Sequence, residues 1–197
     1  MRAIIKTLSA VTVLVAGFSA SAHAATQYPL TVTNCGQSIT FEKAPAKIVS
    51  IGQGMTEILF SLGLADKIAG TAVWVGPVLK EYEGVNAQIP RLADNDPSFE
   101  SVVSKEPDLV AAEFEWHVGT QGSVGKREQF GSLGINTYVS PADCVAKINA
   151  DGGDGVRKEL FTMDLIYQQI SELSDIFDIK ERGEKLVADL RAREAAA

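Results

Sequence analysis

Residues 47–63, KIVSIGQGMTEILFSLG, form the stretch that decides the fold of this chain. It opens with the largely β-branched apolar run Ile48–Ile51, which is typical of a strand buried on both faces. Gly52 and Gly54 then permit a tight turn, because glycine tolerates backbone angles closed to other residues. Gly63 lies where a helix commonly ends. Between turn and end, apolar side chains recur at the spacing of one helical face, at Met55, Ile58, Leu59 and Leu62.

The alternation of strand and helix continues along the chain. A helix is predicted to begin at Asp96-Pro97, with Asp96 as its N-cap, and another covers residues 126–133. Alternating strands and helices favour a parallel sheet, so the predicted class is α/β, a Rossmann-like open parallel sheet with helices on both faces. Ligands bind such sheets at the carboxyl ends of the strands, which makes the turn from Ser50 to Thr56 the first candidate site. Further strands are predicted over residues 68–75, 108–112 and 135–139.

The remaining segments complete this outline. Two short runs, residues 30–32 and 38–41, flank an Asn-x-Gly turn and predict a β-hairpin. Residues 113–125 and 143–156 are rich in glycine and polar side chains and are predicted as loops. From residue 162 onwards, apolar residues at helical spacing predict two final helices.

The first 24 residues have the organisation of a signal peptide. Arg2 and Lys6 give a basic start, an apolar run covers residues 8–18, and Ala22-His23-Ala24 is an A-x-A cleavage signal. The apolar run is shorter than the roughly 20 residues that a membrane span needs, and an N-terminal anchor helix is the alternative interpretation. We expect export to the periplasm, or to another extracytoplasmic compartment, and a mature chain that starts at Ala25.

Net charge limits the partners of the mature chain. Without Arg2 and Lys6, 16 basic residues face 25 acidic residues, which gives a formal charge of −9. Such a charge repels nucleic acid and anionic membrane surfaces, so we expect no nucleic-acid partner. About 170 mature residues suffice for one domain with its own core, and we expect a monomer.

Two cysteines, Cys35 and Cys144, belong to this exported chain. An oxidising compartment favours a disulfide between them, and two free buried thiols are the alternative. Neither cysteine has a C-x-x-C partner, so metal ligation by these residues is the weaker hypothesis.

The sequence does not contain the common catalytic motifs. Residues 52–57 lack the third glycine of a dinucleotide fingerprint, because Glu57 stands in its place, and neither G-x-x-x-x-G-K-[ST] nor G-x-S-x-G occurs. His117 is the one histidine beyond the signal peptide, so we predict no catalytic residues, with a periplasmic enzyme as an alternative. Direct metal-ion binding by Glu113, Glu115 and His117, which alternate just past a strand, is a second alternative.

A ligand-binding surface is predicted at the strand ends. Trp74, Trp116 and His117 are placed to stack on a planar ligand, and Arg91 to pair with an anionic group. Each has a structural alternative, the tryptophans as buried anchors and Arg91 as the partner of Asp94 or Asp96. The predicted ligand-binding residues are Gln53, Gly54, Met55, Trp74, Arg91, Glu115, Trp116 and His117.

Six segments together resemble the periplasmic substrate-binding proteins of iron-siderophore, haem and cobalamin ABC importers. The Thr-Glu helix start in residues 56–64 and the Pro-Asp-Leu-Val strand entry in residues 106–110 belong to this set, which is fairly specific in its order and spacing. The other matching segments are residues 46–51, 67–70, 98–102 and 132–135. The resemblance covers roughly residues 28–197.

The resemblance implies two α/β lobes joined by one long rigid helix, with the ligand held between the lobes. On this basis residues 25–160 correspond to the N-terminal lobe. Residues 161–197 correspond to a helical segment that starts the interlobe helix and leads to a missing second lobe. We therefore expect a truncated chain that is frayed beyond about Leu190 and binds its ligand more weakly than a two-lobed protein.

The function implied by the resemblance is solute binding for an ABC importer, with a membrane permease as partner. The ligand would be a chelated metal, such as a ferric siderophore, haem or cobalamin, or another organic anion. No cofactor and no directly bound metal are expected. In the resembled family an exposed glutamate on each lobe contacts arginines of the transporter, and Glu128 is the nearest match in this sequence.

Overall fold

The computed structural model describes residues 24–149 and 155–197 of the chain. The predicted signal peptide therefore lies outside the described residues, except for Ala24. Within those two ranges, no helix combines the length and the apolar character that crossing a membrane requires.

Nine strands form three sheets in the described part of the chain. They are β1 (Leu30–Asn34), β2 (Gln37–Phe41), β3 (Ile48–Ile51), β4 (Ile68–Ala72), β5 (Arg91–Ala93), β6 (Leu109–Ala112), β7 (Asn136–Val139), β8 (Lys147–Ile148) and β9 (Val156–Arg157). A parallel five-stranded sheet has the order β5-β4-β3-β6-β7, while β1–β2 and β8–β9 are antiparallel pairs. The chain changes direction across the sheet at β3, the kind of switch point at which α/β sheets bind ligands.

The described ranges also contain eight α-helices. They are α1 (Gln53–Ser61), α2 (Glu83–Asn86), α3 (Phe99–Val103), α4 (Glu115–Val118), α5 (Arg127–Ser132), α6 (Pro141–Cys144), α7 (Asp164–Ile176) and α8 (Lys180–Ala195). Two single 3-10 turns, Ala65–Lys67 and Lys80–Tyr82, lie before β4 and before α2.

The sheet buries apolar side chains in two layers, one on each face. All four residues of β3 are buried, and successive side chains alternate between the layers, so that Ile48 packs into one and Val49 into the other. Helices α1 and α7 cover the first layer, to which they contribute Met55 and Ile170. Helices α3 and α5 cover the second, which contains Phe130. The predicted α/β class, an open parallel sheet with helices on both faces, is confirmed.

Buried hydroxyl groups hold the joint between β3 and α1. Thr56 Oγ1 donates to the Gly52 carbonyl over 2.8 Å, and the hydroxyl oxygens of Ser50 and Thr56 are 2.8 Å apart. Both side chains are fully buried, so these bonds replace the water contacts that folding removes. Glu57 Oε1 accepts from the Leu79 amide over 3.0 Å. The Thr-Glu helix start therefore connects α1 to β3 on one side and to the loop after β4 on the other.

The β1–β2 hairpin closes the β7 edge of the sheet through one buried side chain. Asn34 Nδ2 donates to the Val139 carbonyl, and Asn34 Oδ1 accepts from the Val139 amide, each over 2.8 Å. The Asn34 amide group thus pairs with β7 as another strand would. Arg127 Nη2 donates to the same Oδ1 over 3.1 Å, and burial lowers the pKa of the Arg127 guanidinium. A single asparagine therefore joins the hairpin, the sheet edge and a buried cation.

Several sequence-based expectations are wrong in detail. The N-cap of α3 is Ser98, whose hydroxyl accepts from the Ser101 amide over 3.1 Å, and not Asp96, which bonds to side chains of α4 instead. The strand predicted over residues 68–75 ends at Ala72, because Val73 adopts a φ of +62° that breaks the extended chain. Strand β5 was not predicted. The predicted loop 113–125 contains α4, and the predicted loop 143–156 contains part of α6, β8 and the start of β9.

Helix α8 continues to Ala195, past Leu190, the point beyond which the sequence argument expected fraying. Tyr167 donates its hydroxyl to Glu194 over 2.7 Å, and Arg191 pairs with Asp164 over 3.0 Å. The Arg191 guanidinium also lies 4.3 Å from the centre of the Tyr167 ring. Contacts with α7 therefore support the last turns, in addition to the helix propensity on which the sequence argument relied.

Replacing Asn34 by Ala should lower the free energy of unfolding by about 2–4 kcal/mol, because both backbone groups of Val139 and the buried Arg127 lose a partner. Urea denaturation measures this change. Asn136→Ala is the matched control, since Asn136 donates one exposed bond to the Thr40 carbonyl at the same edge. Its loss should cost about 1 kcal/mol or less. Equal losses for the two variants would contradict the assigned role of Asn34.

Candidate functional site

Two adjoining cavities lie at the carboxyl ends of β3, β6 and β7. The first has a volume of about 330 Å³ and is lined by residues that follow these strands and by α7. The second has a volume of about 290 Å³ and is walled by Phe114 and Trp116. Phe114, Asp143 and Lys147 line both cavities, which we therefore treat together as the candidate site.

Glu113 caps helix α1 from the end of β6. Its Oε2 accepts from the Gly54 amide over 2.8 Å, whereas Gly52, the N-cap residue of α1, has no side chain for this purpose. The helix dipole favours a carboxylate at this position. The first turn of α1, which the sequence places first among the candidate ligand-binding segments, is thus occupied by a carboxylate of the protein itself.

The two glycines of the turn make room for Glu113. Gly52 has a φ of +119°, which favours glycine, and a Cβ at this position would overlap the Cβ of Glu113. A Cβ on Gly54 would lie 2.8 Å from Glu113 Oε1. The approach of this acid to the backbone therefore explains both glycines.

Glu113 is a partly buried acid with an altered proton affinity. Burial raises the pKa of its carboxyl group, and the charges of Asp143 and Glu57 act in the same direction, whereas hydrogen bonds from the Gly54 and Met55 amides oppose the shift. Because the pKa of Glu113 lies above its usual value, the folded chain binds a proton at this residue more tightly than the unfolded chain does.

Asp143 caps α4 in a similar way. Its Oδ2 accepts from the Glu115 amide, at the first residue of α4, over 2.6 Å, and its Oδ1 pairs with Lys147. Asn149 Nδ2 donates to the Asp143 carbonyl and to Glu115 Oε2, each over 2.7 Å. The side chains of Asp143 and Lys147 are only 8% and 12% exposed, so each charge needs the other as its partner.

Asp96 holds the side chains of α4. Its Oδ2 accepts from Trp116 Nε1, and its Oδ1 contacts His117 Nε2, both over 3.1 Å. Burial alone would raise the pKa of Asp96, but hydrogen bonds from Ser123 and Trp116 and the neighbouring His117 outweigh it and lower that pKa. Burial lowers the pKa of His117 against the opposing effect of Asp96, so the imidazole is neutral near pH 7.

Four of the eight predicted ligand-binding residues line the cavities. Trp116 is 40% exposed while its indole nitrogen is fixed by Asp96, so part of the ring is accessible from the second cavity. Met55 is fully buried, with its sulfur 3.3 Å from Gln169 Nε2, and mainly serves the core. The four residues are Gly54, Met55, Glu115 and Trp116.

The other four, Gln53, Trp74, Arg91 and His117, are not among the residues that line these cavities. Arg91 lies 4.9 Å from the centre of the buried Trp74 ring and 3.0 Å from Asp94, so its alternative as a surface ion pair is the arrangement that forms. The side-chain amide of Gln53 is already hydrogen-bonded to neighbouring groups, in Glu57, Val75, Gly76 and Pro77.

The direct metal-binding alternative assumed that Glu113, Glu115 and His117 alternate along an extended chain. Residues from Glu115 onwards instead form α4, and the three side chains bond to partners in separate parts of the fold. Among residues 24–149 and 155–197, no group of three or more His, Cys, Asp or Glu side chains is arranged to hold a metal ion. The three side chains therefore do not converge as that alternative requires.

Sequence reasoning missed most of the residues that line the site, and apart from Glu113, which was named as a possible metal ligand, five of these carry an aromatic ring or a charge. Arg157 donates to the carbonyls of Ala142 and Val145 and lies 5.8 Å from the centre of the Phe161 ring. Asp143 and Lys147 form an acid–lysine pair at i, i+4 spacing, and this is the local signal that would have drawn attention to residues 143–147. The others depend on tertiary contacts that no local pattern reports. The five residues are Phe114, Asp143, Lys147, Arg157 and Phe161.

The predicted disulfide is present. Cys35, in the turn of the β1–β2 hairpin, is bonded to Cys144 at the end of α6 across a sequence separation of 109 residues. The bond therefore connects the hairpin to the segment that carries Asp143.

Comparison with known proteins identifies the family. A protein-family model described as periplasmic binding protein matches residues 48–197, and the chain belongs to this family. An uncharacterized ABC transporter substrate-binding lipoprotein of Bacillus subtilis (strain 168) is 26% identical over 165 residues, which cover 82% of this chain and 50% of that protein.

Solved structures agree with this assignment. An ABC-type Fe3+-hydroxamate transport system from Saccharomonospora viridis DSM 43017 is 28% identical, with a TM-score of 0.69, over 86% of this chain and 56% of that one. A periplasmic binding protein from Veillonella parvula is 25% identical, with a TM-score of 0.66, over 85% of this chain and 52% of that one. The chain thus spans about half the length of the relatives that it matches.

Gly52→Ala should lower the free energy of unfolding by about 3 kcal/mol or more, because the added Cβ overlaps Glu113 and the backbone has a positive φ. Gly84→Ala is the control, since a Cβ there meets nothing within 4 Å. Its effect should stay within about 0.5 kcal/mol. Chemical denaturation of both variants checks the argument, and a tolerated Gly52→Ala would show that Glu113 does not require this glycine.

The stability of the wild type relative to Glu113→Gln should rise as the pH falls from 7 towards 4. The pKa of Glu113 is raised in the folded chain, so protonation stabilises the fold as the pH drops through that value. The gain is complete below the unfolded pKa, about 4.3. Urea denaturation of both proteins across this range measures the difference, and a difference that falls with acidification would show the opposite shift.

Proposed function

We propose that this chain is the solute-binding component of an ABC importer and captures a chelated metal or another organic ligand in the periplasm. Membership of the periplasmic binding protein family supports the transport role. The observation that carries the proposal is the pair of adjoining cavities at the carboxyl ends of β3, β6 and β7. Open α/β sheets bind ligands at this edge, in concave sites lined by apolar rings and a few polar groups.

The exposed groups of the site suit a planar, anionic ligand. Phe114, Trp116 and Phe161 are 39%, 40% and 49% exposed, so their rings can stack on a flat partner. Arg157 bonds to backbone carbonyls, and within the described residues its charge has no carboxylate partner. Its planar guanidinium favours carboxylate or phenolate oxygens. Ferric siderophores with aromatic chelating groups and haem match these features, and cobalamin belongs to the same range of chelated metals.

The hydrogen bonding and burial of the polar groups favour ligand binding over catalysis. Glu113 and Asp143 accept hydrogen bonds from main-chain amides, and His117 lies buried against Asp96. Glu113 and Asp143 border the cavities, but their carboxylates already accept bonds from the main chain, and His117 lines neither cavity. Turnover of a candidate ligand that is lost in His117→Ala would instead favour a periplasmic enzyme.

Binding should depend on Trp116 and not on Trp74. We expect Trp116→Ala to weaken binding about tenfold or more, because a partly exposed ring in the cavity wall loses its contact area. Trp74→Phe is the control, since Trp74 is buried beside Arg91 outside both cavities. Fluorescence titration with a ferric tris-catecholate, a ferric trihydroxamate, haemin and cobalamin measures both variants. A larger effect from Trp74→Phe would place the ligand elsewhere.

We also propose Glu128 as a contact of the membrane permease. Its side chain is exposed in the first turn of α5, as a carboxylate that meets transporter arginines needs to be. Glu128→Lys should therefore reduce ligand import by cells while the purified variant keeps its ligand affinity, since Glu128 lines neither cavity of the candidate site. Import at the wild-type rate would exclude this contact.

A further inference from the structure

We propose that the Cys35–Cys144 disulfide is a redox control on the candidate ligand site. Reduction would release α6 and, with it, the acid that positions α4. One consequence of this inference, the change in ligand affinity, rests on the proposed function. The structural change concerns the protein alone and can be measured without any ligand.

The first observation is the short connection between the disulfide and the site. Cys144 directly follows Asp143 on the four-residue helix α6. Asp143 caps α4 through the Glu115 amide over 2.6 Å and also pairs with Lys147. Helix α4 carries Trp116, which forms part of the wall of the second cavity. A displacement at Cys144 therefore passes through one peptide unit to the group that positions this wall.

The second observation is that the two sides of the disulfide differ in their other attachments. On the hairpin side, Asn34 pairs with both backbone groups of Val139 and accepts from Arg127, so the hairpin stays in place without the disulfide. On the α6 side, the described part of the following segment, residues 145–149 and 155–161, has little apolar burial, so the disulfide supplies a larger share of its attachment. Its side chains that are at least 40% exposed are Val145, Ile148, Val156, Leu160 and Phe161.

The third observation is that the disulfide is accessible from a crevice that shares residues with the site. Cys35 and Cys144 are each only partly buried, and both line a crevice of about 470 Å³. Glu115 and Lys147 line the same crevice and also the second cavity of the candidate site. A reductant at the disulfide would therefore act directly behind the side chains that border the ligand cavity.

The reaction is thiol–disulfide exchange with an external dithiol, such as a thioredoxin-like protein. A thiolate of the dithiol attacks one sulfur of the Cys35–Cys144 bond, that bond breaks, and the released thiolate takes up a proton. The second thiol of the dithiol then attacks the mixed disulfide and frees the other cysteine. The chain gains two electrons and two protons as two thiols, and the dithiol becomes a disulfide. An oxidising disulfide partner reverses the exchange.

Hydrogen exchange on the purified protein, before and after reduction with dithiothreitol, tests the structural change. We expect amides in residues 113–120 and 141–149 to exchange about tenfold faster after reduction, because local opening of α4 and α6 becomes easier. Amides in β3 and in the β1–β2 hairpin should keep their rates. The Cys35→Ser/Cys144→Ser variant should match the reduced protein and show no further change with dithiothreitol.

Unchanged exchange in residues 113–120 would overturn the proposal, and so would an equal increase across the whole sheet, since the disulfide would then act on global stability alone. Titration of the wild type and the double serine variant with a ferric tris-catecholate tests the effect on the site. Weaker binding by the variant supports the proposal, and equal affinities overturn redox control of binding. Absence of binding by both proteins overturns the proposed ligand, while the exchange result still decides the structural change.

Discussion

The carboxyl edge of this sheet depends on partly or fully buried carboxylates that accept hydrogen bonds from the main chain of a neighbouring element. Glu113, at the end of β6, caps α1, and Asp143, on α6, caps α4. At the opposite end of the sheet, Asp108 accepts from the amides of Ala46 and Lys47, over 2.8 and 2.9 Å, and so aligns the start of β3 with β6. Each bond satisfies main-chain amides at the start of a helix or just before a strand and links two segments that are distant in sequence. This arrangement explains why an acidic chain presents few free acids at its candidate site.

The same constraint determines which groups remain for a ligand. The N-terminus of α1 would ordinarily be a ready anion site, but Glu113 already neutralises it. On the proposed function, recognition falls to the exposed rings of Phe114, Trp116 and Phe161 and to the partly buried cation of Arg157. Such groups distinguish ligands by shape and charge and place little demand on exact hydrogen-bond geometry. That behaviour agrees with the proposed role, in which the protein carries a bulky ligand without altering it.

Features that depend on local or compositional signals were predictable from the sequence, whereas features that depend on contacts distant in sequence were not. The β3–α1 unit, the parallel strands β6 and β7 and the disulfide were predictable, because buried runs, helical spacing and two cysteines in a chain with a predicted signal peptide are local or compositional signals. The role of Asp96 was not, since its bonds to Trp116 and His117 cross 20 and 21 residues and displaced the expected N-cap to Ser98. The glycine turn was located correctly, but the reason for it was missed. Gly52 and Gly54 accommodate Glu113, 59 residues from Gly54, and nothing in the local pattern indicates that approach.

The candidate site lies between two parts of the fold that differ in local stability. On one side, β3 and the core face of α1 are buried, and Ser50, Thr56 and Glu113 fix the turn between them. On the other side, α6 lies against α7 and buries Pro141, but the chain from Val145 through β8 is held by a charge pair, a disulfide and hydrogen bonds, with Val145 and Ile148 at the surface. Regions with few buried contacts open at lower free energy than the core. Adjustment to a ligand should therefore occur in the α6–β8 part, against a face that the sheet keeps fixed, and it is this softer part that the disulfide restrains.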